Sequence, residues 1–240
     1  MSAPVRSFYV LCAAMLALVA PGAAQGRVEI TSFAGMYVPT ARVIDISAFC
    51  PGGPCGEVVK HESAPVFGAR VTAWVRPRLA LDLSFSYSGS GVKRNGLLAE
   101  IPDGSPPISG SQSVDTTGKA SVRTGSVRLL VSLMPRTSRT ALYVTGGLAL
   151  VGHGGEAYSS VAGNTGWGPV VGAGGRFQLA PGLALRAELD DYVYQFSGTE
   201  ATAPYYLGAV PGSYSSPLQN DLILSLGLSV TPSPGSRVAP

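Results

Sequence analysis

Charge is scarce in this chain. Of its 240 residues only 13% are Asp, Glu, Lys or Arg, about half the share usual for a soluble domain. Seventeen basic residues stand against fourteen acidic ones, for a net charge of +3. No run of like charge is present, which leaves no electrostatic footprint for nucleic acid or for an acidic polymer. Histidine is limited to His61 and His153, and cysteine to Cys12, Cys50 and Cys55. Beyond the N-terminal segment no stretch approaches about 18 consecutive apolar residues, so the mature chain is predicted to hold no transmembrane helix. Only helices and closed barrels satisfy every backbone group in lipid. Membrane residence would therefore require a barrel.

The N-terminal segment reads as an export leader over residues 1–24. Arg6 gives a positive start, Phe8 to Ala20 an apolar centre, and Gly22 and Ala24 the small residues before a cut ahead of Gln25. Losing Arg6 takes the net charge to +2. Export places Cys50 and Cys55, in Phe-Cys-Pro-Gly-Gly-Pro-Cys-Gly, in an oxidising compartment. A disulfide across the turn is the leading expectation, with free thiols as the alternative. A metal site is disfavoured, since His61 is the only nearby third ligand and structural zinc takes four.

What the chain has in quantity is apolar residues (45%), glycine (31) and proline (19). Disorder needs low hydrophobicity, so this combination points to an all-β protein rich in turns. Period-2 alternation, which sends successive side chains to opposite faces of a strand, marks eight segments. They are 28–38, 64–76, 78–88, 127–133, 141–152, 169–179, 183–189 and 221–230. The clearest rows are Leu79, Leu81 and Leu83 and, in the last strand, Leu222, Leu224, Leu226 and Leu228. Short proline-bearing turns (Arg76-Pro77-Arg78, Pro135 to Arg139, Ala180-Pro181-Gly182) alternate with long polar stretches at 39–63, 89–117, 153–168 and 197–219. Structureless loops of that length are uncommon in compact soluble domains. Short turns on one side and long loops on the other suit an outer-membrane barrel.

The predicted fold is therefore all-β: a closed antiparallel up-and-down transmembrane barrel of about eight strands over residues 25–231, with a Pro/Ser/Gly tail over 232–240. The leucine rows named above are predicted to face lipid. The opposite rows carry Arg70, Arg128, Arg176 and Arg186 with Asp82, Glu188, Asp190 and Asp221, four charges of each sign that could pair inside a narrow lumen. Strand glycines such as Gly172 and Gly174 would relieve crowding there. Tyr87, Trp167, Tyr192, Tyr194 and Phe196 are read as an interfacial girdle.

The run Val170-Val171-Gly172-Ala173-Gly174-Gly175-Arg176-Phe177, followed by Leu185-Arg186-Ala187-Glu188-Leu189-Asp190-Asp191-Tyr192-Val193-Tyr194-Gln195-Phe196, resembles the small outer-membrane β-barrel family, which includes the transmembrane domain of outer membrane protein A. The resemblance spans about residues 27–231 and marks architecture rather than an activity. It implies residence among outer-membrane lipids and insertion by the barrel-assembly machinery. One departure stands out: the last strand stops near Val230 without the terminal aromatic common in that family.

No catalytic, cofactor-binding or metal-binding residues are assigned. Some eight-stranded barrels are lipid A-modifying enzymes, and His153 lies near Glu156, Ser159 and Ser160. Proximity in sequence does not place a nucleophile within reach of a base, and that segment reads as a solvated outer loop. Function is expected on the long loops, which could meet a surface partner, among them 39–63 and 197–219 with Tyr205 and Tyr206. The alternatives are a soluble periplasmic, lipocalin-like barrel with its leucines inside and, less favoured, the lipid-modifying enzyme.

Overall fold

The computed structural model describes residues 28–41, 44–50, 53–97, 113–135, 138–158, 165–196 and 218–232. The proposed leader, Tyr205, Tyr206 and the end of the chain lie outside the described residues, as do the side chains of Cys50, Cys55 and Phe196. Among the described residues ten strands form in chain order: β1 (Val28–Pro39), β2 (Ile44–Cys50), β3 (Gly53–His61), β4 (Ala64–Arg76), β5 (Leu79–Leu97), β6 (Ser113–Ser132), β7 (Thr140–Gly154), β8 (Thr165–Ala180), β9 (Leu183–Phe196) and β10 (Gln219–Val230). One 3-10 turn, Glu156–Tyr158, follows β7. No helix among the described residues is long and apolar enough to cross a membrane.

Eight of these strands close a barrel in the order β1-β4-β5-β6-β7-β8-β9-β10, with β10 returning to β1. Every pairing is antiparallel. They are the eight segments that alternation marks in the sequence. Closure leaves no exposed strand edge around the wall, which is what a lipid environment demands of a sheet. β2 and β3 form an added hairpin. β3 pairs with the far half of β5, Gly56 opposite Leu97 through His61 opposite Val92, and so continues the wall where β4 has ended.

The connections sort by end. The β4–β5, β6–β7 and β8–β9 turns lie at one end together with Val28 and Val230, and all longer connections lie at the other. In the β8–β9 turn Gly182 takes φ +78°, a left-handed conformation that L side chains resist. Two of the stretches read as loops are corrected here. Residues 39–63 contain β2 and β3, and 89–117 shrinks because β5 runs to Leu97 and β6 starts at Ser113. In these extensions the outward row turns to Gly89, Gly91 and Lys93 on β5 and Lys119 and Arg123 on β6, so the apolar outward row that reveals a wall strand stops while the backbone ladder continues.

Inside, the wall is tight. A β-carbon on Gly174 would sit 2.6 Å from the Tyr143 ring and 2.7 Å from the Ala187 carbonyl oxygen, whereas one on Gly146 meets nothing within 4 Å. Gly174→Ala is therefore expected to destabilise the barrel by about 1–3 kcal/mol through overpacking. Gly146→Ala should change stability by no more than about 0.5 kcal/mol, both read from urea unfolding in lipid vesicles.

Candidate functional site

Alternation sets two surfaces of opposite character. The outward rows are apolar and open: Leu224, Leu226 and Leu228 are 57%, 54% and 51% exposed. Leu79, Leu81, Leu83 and Leu222 lie on the same outer surface, half-buried by their neighbours. The inward rows hold the charges, and Arg70, Asp82, Arg128, Arg176, Arg186, Glu188, Asp190 and Asp221 are all buried. A soluble ligand-binding barrel would need the reverse arrangement, with the leucine rows inside.

Three arginines and three carboxylates from four strands meet at the centre of the lumen. Arg128 on β6 bridges Asp82 on β5 and Asp190 on β9, one guanidinium nitrogen to each. Arg70 on β4 holds the other Asp190 oxygen at 2.7 Å and contacts Glu188, and it donates to Ser225 Oγ at 3.2 Å. Arg186 on β9 reaches Glu188 at 3.0 Å and Asp82 at 3.3 Å. Its Nε donates to the Tyr143 hydroxyl at 2.7 Å, and Nη1 donates to Thr72 Oγ1 at 2.8 Å. The rings of Phe33 and Tyr143 lie 4.2 Å and 4.9 Å from the Arg70 and Arg186 guanidinium carbons. Each cation thus sees at least two carboxylates, and each carboxylate is shared. Buried charges persist only with such multiple partners.

Two of the eight charges stand apart from this centre. Arg176 faces Glu29 at 3.5 Å, toward the short-turn end. Glu29 is an inward acid of β1 that the sequence count of lumen charges leaves out. Asp221 accepts from the Tyr194 hydroxyl at 2.7 Å near the other end. Between centre and mouth lies an apolar and aromatic layer that includes Tyr37, Val66, Val122, Val151, Val170, Tyr192 and Ile223.

The mouth corrects two sequence expectations. Tyr192 and Tyr194 are buried in the lumen instead of belonging to an outer girdle; stepping by two from Glu188 keeps them on the inner face. Tyr87 and Trp167 do lie outside, 45% and 68% exposed. His153 is not in a solvated loop. It ends the inward row of β7 and is buried, as is His61 from β3. Their rings are 5.1 Å apart, and Tyr158 stacks 5.5 Å from His61 and lies 5.2 Å from His153. The 3-10 turn thereby lays a tyrosine across the end of the lumen.

Hydrogen bonds fix this cap. His61 Nε2 meets the Tyr158 hydroxyl, and His61 Nδ1 lies 3.2 Å from Ser90 Oγ. His153 Nε2 lies 3.1 Å from the Tyr194 hydroxyl. A Ser–His contact is present, but the second ring nitrogen of His61 faces a tyrosine where a catalytic triad would place a carboxylate. Both residues point into the lumen. Among the described residues no group of three or more His, Cys, Asp or Glu side chains is placed to hold a metal ion.

No family model and no curated protein matches the chain. Solved structures do. The crystal structure of the outer membrane protein OprG from Pseudomonas aeruginosa is 14% identical, covers 85% of this chain and 96% of its own, and gives a TM-score of 0.55. The solid-state NMR structure of the outer membrane protein AlkL in DMPC bilayers is 17% identical, covers 88% and 93%, and gives 0.51. At these identities the likeness speaks to the fold alone.

Proposed function

This chain has the fold of the small outer-membrane β-barrels, and on that premise we propose that it is an integral protein of the bacterial outer membrane with a structural or surface-interaction role and no catalytic one. Its leucine rows are wetted by acyl chains. Its lumen is a plug and not an open channel. Its long-connection end faces outward, where the far halves of β5 and β6 with the β2–β3 hairpin rise above the bilayer as a display surface for a partner. Insertion passes through the barrel-assembly machinery, reading a last strand that ends in Leu228-Ser229-Val230.

The observation that carries this reading is the inversion of polarity: half-exposed leucines outside, fully buried arginines and carboxylates within. In water such a surface would drive association, and in lipid it is the ordinary state of a barrel wall. The ion-pair centre favours a plug, since an eight-stranded interior is just filled by side chains and each guanidinium here is already shared among carboxylates.

Two measurements test the proposal. The membrane fraction should yield a band that migrates faster unboiled than boiled, reporting a closed detergent-resistant barrel. Reconstituted protein should give no steady conductance in planar bilayers. Recovery in the soluble periplasm would overturn the membrane reading, and a persistent open channel would overturn the plug.

A further inference from the structure

Among the described residues, the exposed cations at the long-connection end are not spread around the rim. Among the residues whose side chains are described, Lys60 on β3, Lys93 on β5, and Lys119 and Arg123 on β6 are exposed there, whereas β1 and β7 to β10 present no outward lysine or arginine. Register gathers the four on one panel. Lys60 pairs directly with Lys93, Lys119 lies opposite Gly91, and Arg123 lies opposite Tyr87, with its guanidinium carbon 5.9 Å from that ring's centroid. Glu62 meets Lys93 at 2.8 Å and Glu156 is exposed on the 3-10 turn beside β6, so cations outnumber acids four to two on the panel and its edge. Like charges directly opposite on neighbouring strands repel, and Glu62 offsets part of that repulsion at Lys93, which an anion lying across the pair would relieve further.

We propose that this panel binds the phosphate-bearing sugar headgroup of an outer-leaflet glycolipid. The inference rests on the membrane reading above. Three features select that ligand. The cations project from the outer surface of β5 and β6 that lower down is the apolar wall, so a bound lipid could keep its chains on Phe85 and Leu129 and its headgroup on the cations. Tyr87, the aromatic boundary, lies level with Arg123, where the polar zone begins. The cations then climb the strands instead of ringing the barrel: Lys93 is six residues beyond Tyr87, roughly 20 Å along the strand. That is too tall for the single phosphate of a phospholipid and suits phosphates distributed along a sugar chain.

The test uses the full chain in neutral detergent, titrated with a lipopolysaccharide that carries phosphates on lipid A and on its core sugars, and with the same glycolipid dephosphorylated. The variant is Lys60→Gln, Lys93→Gln, Lys119→Gln and Arg123→Gln together. Near-surface cations each contribute several-fold to anionic-lipid binding, so the variant should bind the phosphorylated lipid on the order of 100-fold more weakly at low salt. The difference should shrink as salt screens it and vanish with the dephosphorylated lipid. Lysine-to-arginine replacement at positions 60, 93 and 119 should retain binding. Should the quadruple variant lose its heat-modifiable gel shift, the Lys93→Gln, Arg123→Gln pair carries the comparison.

Equal affinity of wild type and variant, or indifference to the phosphates, overturns the proposal while a retained gel shift leaves the barrel reading intact. Charge-dependent capture of soluble heparin with no phosphate effect in the glycolipid overturns it in favour of a polysaccharide ligand. Absence of any gel shift in the wild type brings down the membrane reading and this inference with it.

Discussion

Replacing Arg128 by methionine is expected to destabilise the folded barrel by about 3–5 kcal/mol, the usual cost of removing one partner from a buried ion pair. Arg128 is 1% exposed and is the link between Asp82 and Asp190. Without it Asp82 keeps Arg186 at 3.3 Å and Thr72, and Asp190 keeps Arg70 at 2.7 Å. Three carboxylates would then share two guanidinium groups in a space closed to bulk water. The methionine side chain fills most of the volume, so the loss reports charge imbalance and not a cavity. Adding Asp190→Asn to Arg128→Met leaves two guanidinium groups with two carboxylates and should recover at least half of the loss, because the cost of breaking a buried pair comes from the uncompensated charge left behind. The measurement is the urea midpoint in lipid vesicles, with the folded fraction scored by unboiled gel mobility. A cost for Arg128→Met below about 1 kcal/mol, the range of exposed pairs, would mean that water reaches the centre and that the lumen is not plugged there.

The eight wall strands were legible because each crosses a boundary between two solvents along most of its length. Leu222 to Val230 and Leu79 to Tyr87 alternate strongly since one face must be apolar and the other need not be. The same parity, carried two more steps from Asp190, places Tyr192 and Tyr194 inside; reading them as girdle aromatics ignored it. Glu29 was legible in the same way, on the polar row of β1. The far halves of β5 and β6 were not, because their outward row turns from apolar residues to Gly89, Gly91, Lys93, Lys119 and Arg123, and the apolar outward stripe that marks the wall is lost. Nor could sequence show which arginine meets which carboxylate. That depends on the stagger between strands: Asp82 is level with Arg128 across β5–β6, yet Arg70 and Arg128 both reach Asp190 across the lumen. The His61–His153 cap was illegible for a related reason. It needs β3 to take over from β4 in the wall, and β3 follows a stretch whose composition reads as loop.

An arginine on the outer wall separates the two environments that a barrel of this kind could occupy. Leu226 on β10 stands between Ala34 of β1 and Ala187 of β9, near the middle of its leucine row and 54% exposed. If water covers that face, Leu226→Arg is an ordinary surface substitution and should shift stability by no more than about 0.5 kcal/mol. If acyl chains cover it, the guanidinium must be carried into hydrocarbon near the bilayer midplane, at a cost of about 2–4 kcal/mol. The cost should fall toward about 0–1 kcal/mol for Val230→Arg, where the row nears the short-turn interface and the side chain can reach polar headgroups. A depth-dependent penalty of this form cannot arise from packing, because both sites are about equally exposed, at 54% and 49%. Unfolding of both variants in lipid vesicles reads the gradient directly. Equal, small effects at positions 226 and 230 would place the leucine rows in water and remove the premise on which the outward orientation of the cation panel also depends.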